Sequence, residues 1–138
     1  MTGRSGPHRA VTRPRPRVLI VDDERQNRQL IEVMLAPEGY ELLTAESGEE
    51  ALEIVAREHP DVVLLDVMMP GMDGYQVATR IRDVPGVKRT AVLMLTALDD
   101  SNSRAHGLRA GADDYVTKPV DRTDLCARVR RVLKDAAT

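Results

Sequence analysis

The chain has little of what several protein classes require. A single cysteine, Cys126, excludes an intramolecular disulfide and a site built from several thiolates. The aromatic residues are three tyrosines, so the stacking surfaces that single-strand nucleic-acid binders use are missing. Apolar runs such as Val62 to Leu65 are far too short to cross a bilayer. The start of the chain lacks the apolar core of a signal peptide, and we therefore expect a cytoplasmic protein without a membrane partner.

Charge is unevenly distributed along the 138 residues, although the net value is −2. The first 17 residues carry five arginines and no acidic residue, so the rest of the chain is strongly acidic. An acidic body is a poor general binder of nucleic acid, and we expect no direct nucleic-acid binding. Residues 1–16 are rich in Gly, Pro, Ser and Arg and are predicted to form a disordered basic tail. The sequence does not decide whether this tail contacts an acidic partner. Residues 17–138 are predicted to form one domain.

Short apolar runs alternate with amphipathic segments through that domain. Runs that are apolar on both faces are typical of strands in a parallel sheet covered by helices. Five strand–helix units predict an α/β fold, a doubly wound five-stranded parallel sheet of the flavodoxin-like (βα)5 type with strand order 2-1-3-4-5. The fourth helix is expected over 99–110, and the last begins near Asp121, with Asp124 placed to complete its cap. The first helix is predicted from Leu30, Ile31, Met34 and Leu35, which recur at helical spacing.

Polar side chains end four of the five predicted strands. The first is followed by Asp22 and Asp23, the third by Asp66, the fourth by Thr96 and the fifth by Lys118. Ligands of open parallel sheets bind at the carboxyl ends of the strands, so we expect these side chains to converge. Three carboxylates repel one another unless a cation neutralises them, and an all-oxygen donor set favours Mg²⁺, or Mn²⁺ in its place. The lysine and the threonine suit a phosphoryl group bound to that ion.

Several motifs together resemble the receiver domain of bacterial two-component response regulators, the chemotaxis regulators among them. They are Asp22-Asp23, LLDVMMPGMDG at 64–74, Leu95-Thr96-Ala97, AGADDY at 110–115 and Lys118-Pro119. The resemblance covers about residues 17 to 135. It implies a signalling switch that phosphorylation activates, and not a turnover enzyme.

The resemblance implies a role for each residue of the acidic site. Asp66 matches the phosphoacceptor, which takes a phosphoryl group from the phosphohistidine of a histidine kinase or phosphotransfer protein. Asp23 and the backbone carbonyl of Met68 match direct ligands of Mg²⁺, together with Asp66. Asp22 matches a neighbour that acts on the ion mainly through water.

The resemblance also implies how the signal leaves the site. Lys118 matches the lysine that pairs with the phosphoryl group, and the bond to Pro119 is expected to be cis. Thr96 matches the hydroxyl that turns to bond the phosphoryl group, and the side chain of Tyr115 follows it. The readout surface would comprise the fourth helix, fifth strand and fifth helix, leading to an output domain or protein. Its charges, which could pair across a two-fold homodimer, are Arg104, Arg109, Arg122, Arg128, Arg130, Asp113, Asp114 and Asp121.

Two other functions compete with this interpretation. A metal-dependent phosphatase or phosphotransferase of the haloacid-dehalogenase type would need a second aspartate two residues after the first, with a Thr or Ser to follow, where the chain reads Asp22-Asp23-Glu24 and then Arg25. A flavodoxin-like binding module would need Ser, Thr or Gly after the first strand to hold a phosphate, where these acids would repel it.

Two apolar positions and one loop complete the expectations. Met68 and Leu98 stand two residues after Asp66 and Thr96, where polar side chains of family members help to place a hydrolytic water. The chain is therefore expected to hold its phosphoryl group comparatively long. Asp73 and Gly74 are interpreted as devices that start a helix.

Overall fold

The computed structural model describes residues 15–86, 90–97, 105 and 110–137. In these ranges the strands form one parallel sheet with the order β2-β1-β3-β4-β5, which confirms the predicted topology. The strands are β1 (Arg17–Val21), β2 (Glu41–Ala45), β3 (Val62–Asp66), β4 (Ala91–Thr96) and β5 (Asp114–Thr117). The helices are α1 (Arg25–Leu35), α2 (Gly48–Glu58), α3 (Gly74–Ile81) and the C-terminal helix (Arg122–Ala137), with a 3-10 turn at Ala36–Glu38.

Some sequence predictions concern residues that the structure does not describe. The disordered tail falls there apart from its last two residues, as do Leu98, Arg104, Arg109 and most of the helix expected over 99–110. Those predictions therefore stand untested. Of the helices in the described ranges, none combines the length and apolar character that a membrane span would need.

The sheet is buried on both faces because successive side chains of a strand point in opposite directions. On β1, Leu19 and Val21 face one apolar cluster, whereas Val18 and Ile20 face the other. One cluster is completed by residues of α2 and α3: Ala51, Ile54, Val55, Val77, Ala78 and Ile81. The other is completed by residues of α1 and the C-terminal helix: Ile31, Leu35, Leu125, Cys126, Val129 and Val132.

The parallel register aligns the polar strand ends. Asp66 pairs with Leu95, which precedes Thr96, and Thr96 pairs with Thr117, which precedes Lys118. The backbone hydrogen bonds continue past the strands, since the amide of Lys118 donates to the carbonyl of Thr96 at 2.8 Å. The sheet thus brings the ends of β3, β4 and β5 to one edge.

Two details of the helices go beyond or differ from the sequence prediction. Leu30 of α1 is 52% exposed, because α1 packs through Ile31 and Leu35. At the start of the C-terminal helix, the Asp121 carboxylate accepts the amide N–H of Asp124 at 2.8 Å. The Asp124 carboxylate does not complete a capping box with it; it accepts a hydrogen bond at 2.9 Å from the Arg128 guanidinium, one turn further along.

Four of the charges expected to pair between two copies, among those that the structure describes, are paired within one chain. The buried carboxylate of Asp114 lies between the guanidinium groups of Arg128 and Arg131, at 2.9 and 2.6 Å. Asp113 pairs with Arg82 at 2.9 Å, and Arg130 pairs with Glu38 at 3.1 Å. The homodimer remains a prediction, but these ion pairs tie β5 and the C-terminal helix to the rest of the domain.

Candidate functional site

Three carboxylates meet at the carboxyl ends of β1 and β3, as the sequence predicts. One oxygen from each of Asp22, Asp23 and Asp66 lies within 4.8 Å of the others. Asp22 and Asp66 are each only 3% exposed, whereas Asp23 is open to solvent. Oxygen donors at this separation fit a hard divalent cation, which would offset the repulsion among them.

Lys118 brings positive charge to this cluster from the loop after β5. Its ammonium donates to Oδ1 of Asp66 at 2.7 Å, and the lysine side chain stays partly exposed. The Lys118–Pro119 peptide bond is cis, as expected. The lysine and the central carboxylate are therefore in direct contact although 52 positions separate them in the sequence.

Thr96 and Tyr115 occupy neighbouring strands beside the cluster. Thr96 is buried at the end of β4, one residue beyond the partner of Asp66 in the sheet register. Tyr115, in β5, pairs with Met94 of β4. Its half-buried side chain packs on the apolar cluster shared with α2 and α3. The two residues predicted to relay the signal thus lie close along the sheet.

The loop from β3 to α3 follows directly after Asp66. Met68 is 68% exposed, while Met69 is buried. The loop lines a depression of about 470 Å³. Its lining residues are Val67, Met68, Met69, Pro70, Gly71, Asp73 and Tyr75. Asp73 is the N-cap of α3, because its carboxylate accepts the amide of Gln76 at 2.9 Å and the Gln76 side chain accepts the amide of Asp73 at the same distance. The interpretation of Asp73 as a helix-start residue is confirmed.

Burial and repulsion act together on Asp22. Burial raises the pKa of the Asp22 carboxyl, and the nearby charges of Asp66 and Asp23 raise it further. The hydrogen bond from the Glu24 amide and the charge of Lys118 lower the pKa without cancelling these effects. Ionised Asp22 therefore costs folding free energy unless a cation is bound.

Asp22→Asn is expected to make the metal-free protein more stable at neutral pH. A carboxyl group with a raised pKa favours the folded state below its unfolded pKa of about 3.8, and that contribution is lost as the pH rises through the folded pKa. Asparagine keeps an oxygen for the Glu24 amide but carries no charge. Urea unfolding in EDTA should give a higher free energy of unfolding for the variant than for the wild type at neutral pH. The difference should vanish below the unfolded pKa; a difference that persists there would contradict the electrostatic cause.

Sequence reasoning missed one contact of the acidic site. The Arg28 guanidinium, from the second turn of α1, donates to the backbone carbonyl of Asp22 at 2.8 Å. The signal was present, because Arg28 stands three and seven residues before Ile31 and Leu35 and so shares the buried face of α1. A charged side chain on the apolar face of a helix is expected to have a polar partner.

Comparison with known proteins gives a consistent result. The family model described as response regulator receiver domain matches residues 18–130. The response regulator PleD of Caulobacter vibrioides is 47% identical over 118 residues, which are 86% of this chain but 26% of that protein. The chain thus spans about a quarter of the length of this curated relative.

Solved structures agree with the sequence comparison. Chemotaxis protein CheY4 of Vibrio cholerae has a TM-score of 0.81 and 34% identity, over 86% of this chain and 98% of that one. A BeF3-activated DrrB receiver domain has a TM-score of 0.77 and 36% identity, over 87% and 98% of the two chains.

Proposed function

The chain belongs to the family of response regulator receiver domains, and from that premise we propose that Asp66 accepts the phosphoryl group. The family is a signalling switch of two-component systems and not a turnover enzyme, and it implies a histidine kinase as partner. The observation that carries the proposal is the contact of Lys118 with Asp66 at 2.7 Å beside the carboxylates of Asp22 and Asp23. The donor is the phosphohistidine of a histidine kinase or phosphotransfer protein.

The proposed ion is Mg²⁺, with Mn²⁺ as a substitute. Asp23, Asp66 and the backbone carbonyl of Met68 would hold it directly, and Asp22 would hold it through water. When bound, the ion supplies positive charge to the oxygens of the transferring phosphoryl group. The all-oxygen donor set supports this assignment, as does the raised pKa of Asp22, which burial causes first and the charges of Asp66 and Asp23 increase.

The transfer needs little chemistry from the protein beyond position and charge. A carboxylate oxygen of Asp66 attacks phosphorus, the phosphorus–nitrogen bond of the donor breaks, and the histidine leaves with its electron pair. The nucleophile is the carboxylate form of Asp66, so the step itself transfers no proton from this side chain. Lys118, which contacts Asp66 before transfer, can follow the charge onto the phosphoryl oxygens.

The proposed relay shifts the balance between two conformations. The Thr96 hydroxyl turns towards the new phosphoryl group, and Tyr115 moves into the space that opens. The signal then reaches the surface formed by the predicted fourth helix, β5 and the C-terminal helix. Couplings of this kind are worth about 1–3 kcal/mol, enough to change the affinity for an output domain or protein or for a second copy of the chain.

Intact-mass measurement tests the proposed function directly. The wild-type protein is incubated with acetyl phosphate or phosphoramidate, once with Mg²⁺ and once with EDTA. We expect a mass increase of one phosphoryl group with Mg²⁺ and none with EDTA. A protein that binds Mg²⁺ yet stays unmodified by both donors would refute the proposal.

Met68→Asn is expected to shorten the lifetime of the phosphoryl group. The exposed Met68 side chain offers no hydrogen bond to a water near Asp66, whereas an amide can hold one. One such bond is worth about 1 kcal/mol net, so the loss should become about fivefold faster. The decay is followed by intact mass after removal of the donor, with Met68→Leu as the apolar control at the wild-type rate. Equal and rapid decay in all three proteins would refute the idea.

A further inference from the structure

Arg28 holds the turn that presents two of the acidic side chains. The backbone of Asp22 is fixed on both sides, since its amide donates to the carbonyl of Ala45 at 3.1 Å and its carbonyl accepts from Arg28 at 2.8 Å. The Asp22 carboxylate accepts the amide of Glu24 at 2.9 Å. Arg28 therefore ties α1 to the peptide that joins Asp22 to Asp23.

The guanidinium is well placed to be rigid. Its side chain is only 15% exposed, and its second nitrogen lies 3.9 Å from the Glu46 carboxylate in the loop before α2. A charge-assisted hydrogen bond to a carbonyl is stronger than a neutral one. Because the carbonyl belongs to the peptide that leads into Asp23, this bond fixes the direction from which the Asp23 side chain leaves the backbone.

We propose that Arg28 is a positioning residue for the metal site, which orients Asp22 and Asp23 through the carbonyl of Asp22. This inference rests on the proposed function, because it concerns the same Mg²⁺ site. Residues that orient metal ligands typically contribute 10–100-fold to metal affinity. A positioning role predicts weaker Mg²⁺ binding when Arg28 is lost.

The charge of Arg28, considered alone, predicts the opposite change in Mg²⁺ affinity when Arg28 is lost. A cation near three carboxylates repels a second cation, so loss of the charge alone would tighten Mg²⁺ binding. The direction of the change therefore distinguishes positioning from electrostatics. A residue that only supported packing would lower thermal stability without a specific effect on the metal.

Arg28→Gln is the main variant, because its shorter side chain loses both the contact and the charge. Arg28→Lys keeps the charge and one donor group. Glu46→Gln is the matched control, since Glu46 is mostly exposed and touches Arg28 but not Asp22. Mg²⁺ affinity is measured by isothermal titration calorimetry, and melting in EDTA shows that each protein is folded. The rate of phosphorylation by acetyl phosphate is recorded over a range of Mg²⁺ concentrations.

We expect Arg28→Gln to bind Mg²⁺ about 10–100-fold more weakly, Arg28→Lys about threefold more weakly and Glu46→Gln as the wild type does. Saturating Mg²⁺ should restore the phosphorylation rate of both Arg28 variants. Unchanged or tighter binding by Arg28→Gln would overturn the inference. If Arg28→Gln does not fold, wild-type affinity in Arg28→Lys would overturn it instead. A wild-type protein that binds no Mg²⁺ would refute the proposed function itself, which is a separate outcome.

Discussion

Asp66→Asn should abolish phosphorylation by acetyl phosphate and by phosphohistidine donors. An amide is a poor nucleophile, and the variant cannot form the acyl phosphate. The substitution removes one of three mutually repelling charges, so the variant should remain folded although Lys118 loses its partner at 2.7 Å. Intact mass after incubation with donor and Mg²⁺ should show the unmodified protein only.

Asp73→Asn is the matched control, since Asp73 belongs to the loop that follows Asp66. Asparagine is as good an N-cap as aspartate, so α3 should keep its capping box with Gln76 and the protein its full phosphorylation. Modification of Asp66→Asn to the wild-type extent would assign the acceptor role to another carboxylate. Mapping the modified peptide would then decide between Asp22 and Asp23.

The position of the acidic site could be predicted because it depends on the backbone. Each apolar run ends where a strand leaves the buried part of the sheet, and parallel strands end at one edge. That rule alone places Asp22, Asp66 and Lys118 together. In the structure, carboxylate oxygens of Asp22 and Asp66 lie within 4.8 Å, and Lys118 contacts Asp66. The capping residue Asp73 was likewise a local signal, since its carboxylate accepts the amide three residues further along.

Contacts between distant side chains could not be predicted in the same way. The exposure of Leu30 depends on the rotation of α1 about its axis, which packing against β1 and the C-terminal helix decides. The burial of Asp114 depends on Arg128 and Arg131, which approach from a helix that begins after the next loop. Such pairings follow from the packing of whole elements, and local sequence pattern carries only a hint of them.

Gly74→Ala is expected to displace the backbone of the acceptor Asp66, because Gly74 packs directly against it. A Cβ atom at Gly74 would lie 2.5 Å from the carbonyl oxygen of Asp66 and 2.8 Å from Cα of Val67. Both atoms belong to the backbone, so no flexible side chain can move aside. The amide of Gly74 also donates to the carbonyl of Val67 at 3.0 Å, which holds α3 against the end of β3.

The added methyl group must therefore shift either the start of α3 or the end of β3. Overpacking of this kind costs about 3 kcal/mol of unfolding free energy, and a displacement of Asp66 by about 1 Å can slow phosphorylation about a hundredfold. Urea unfolding measures the first effect, and intact mass at saturating Mg²⁺ and a temperature at which the variant is folded measures the second.

Gly71→Ala separates steric pressure on Asp66 from general loss of stability. Gly71 has a φ of +76° and open space around its would-be Cβ, so alanine should cost about 1–2 kcal/mol through backbone strain alone. Its phosphorylation rate should stay within about twofold of the wild type, because nothing presses on Asp66. A Gly74→Ala protein phosphorylated at the wild-type rate would show that α3 can move without displacing the acceptor. Equal losses in both variants would place the defect in stability and not in the position of Asp66.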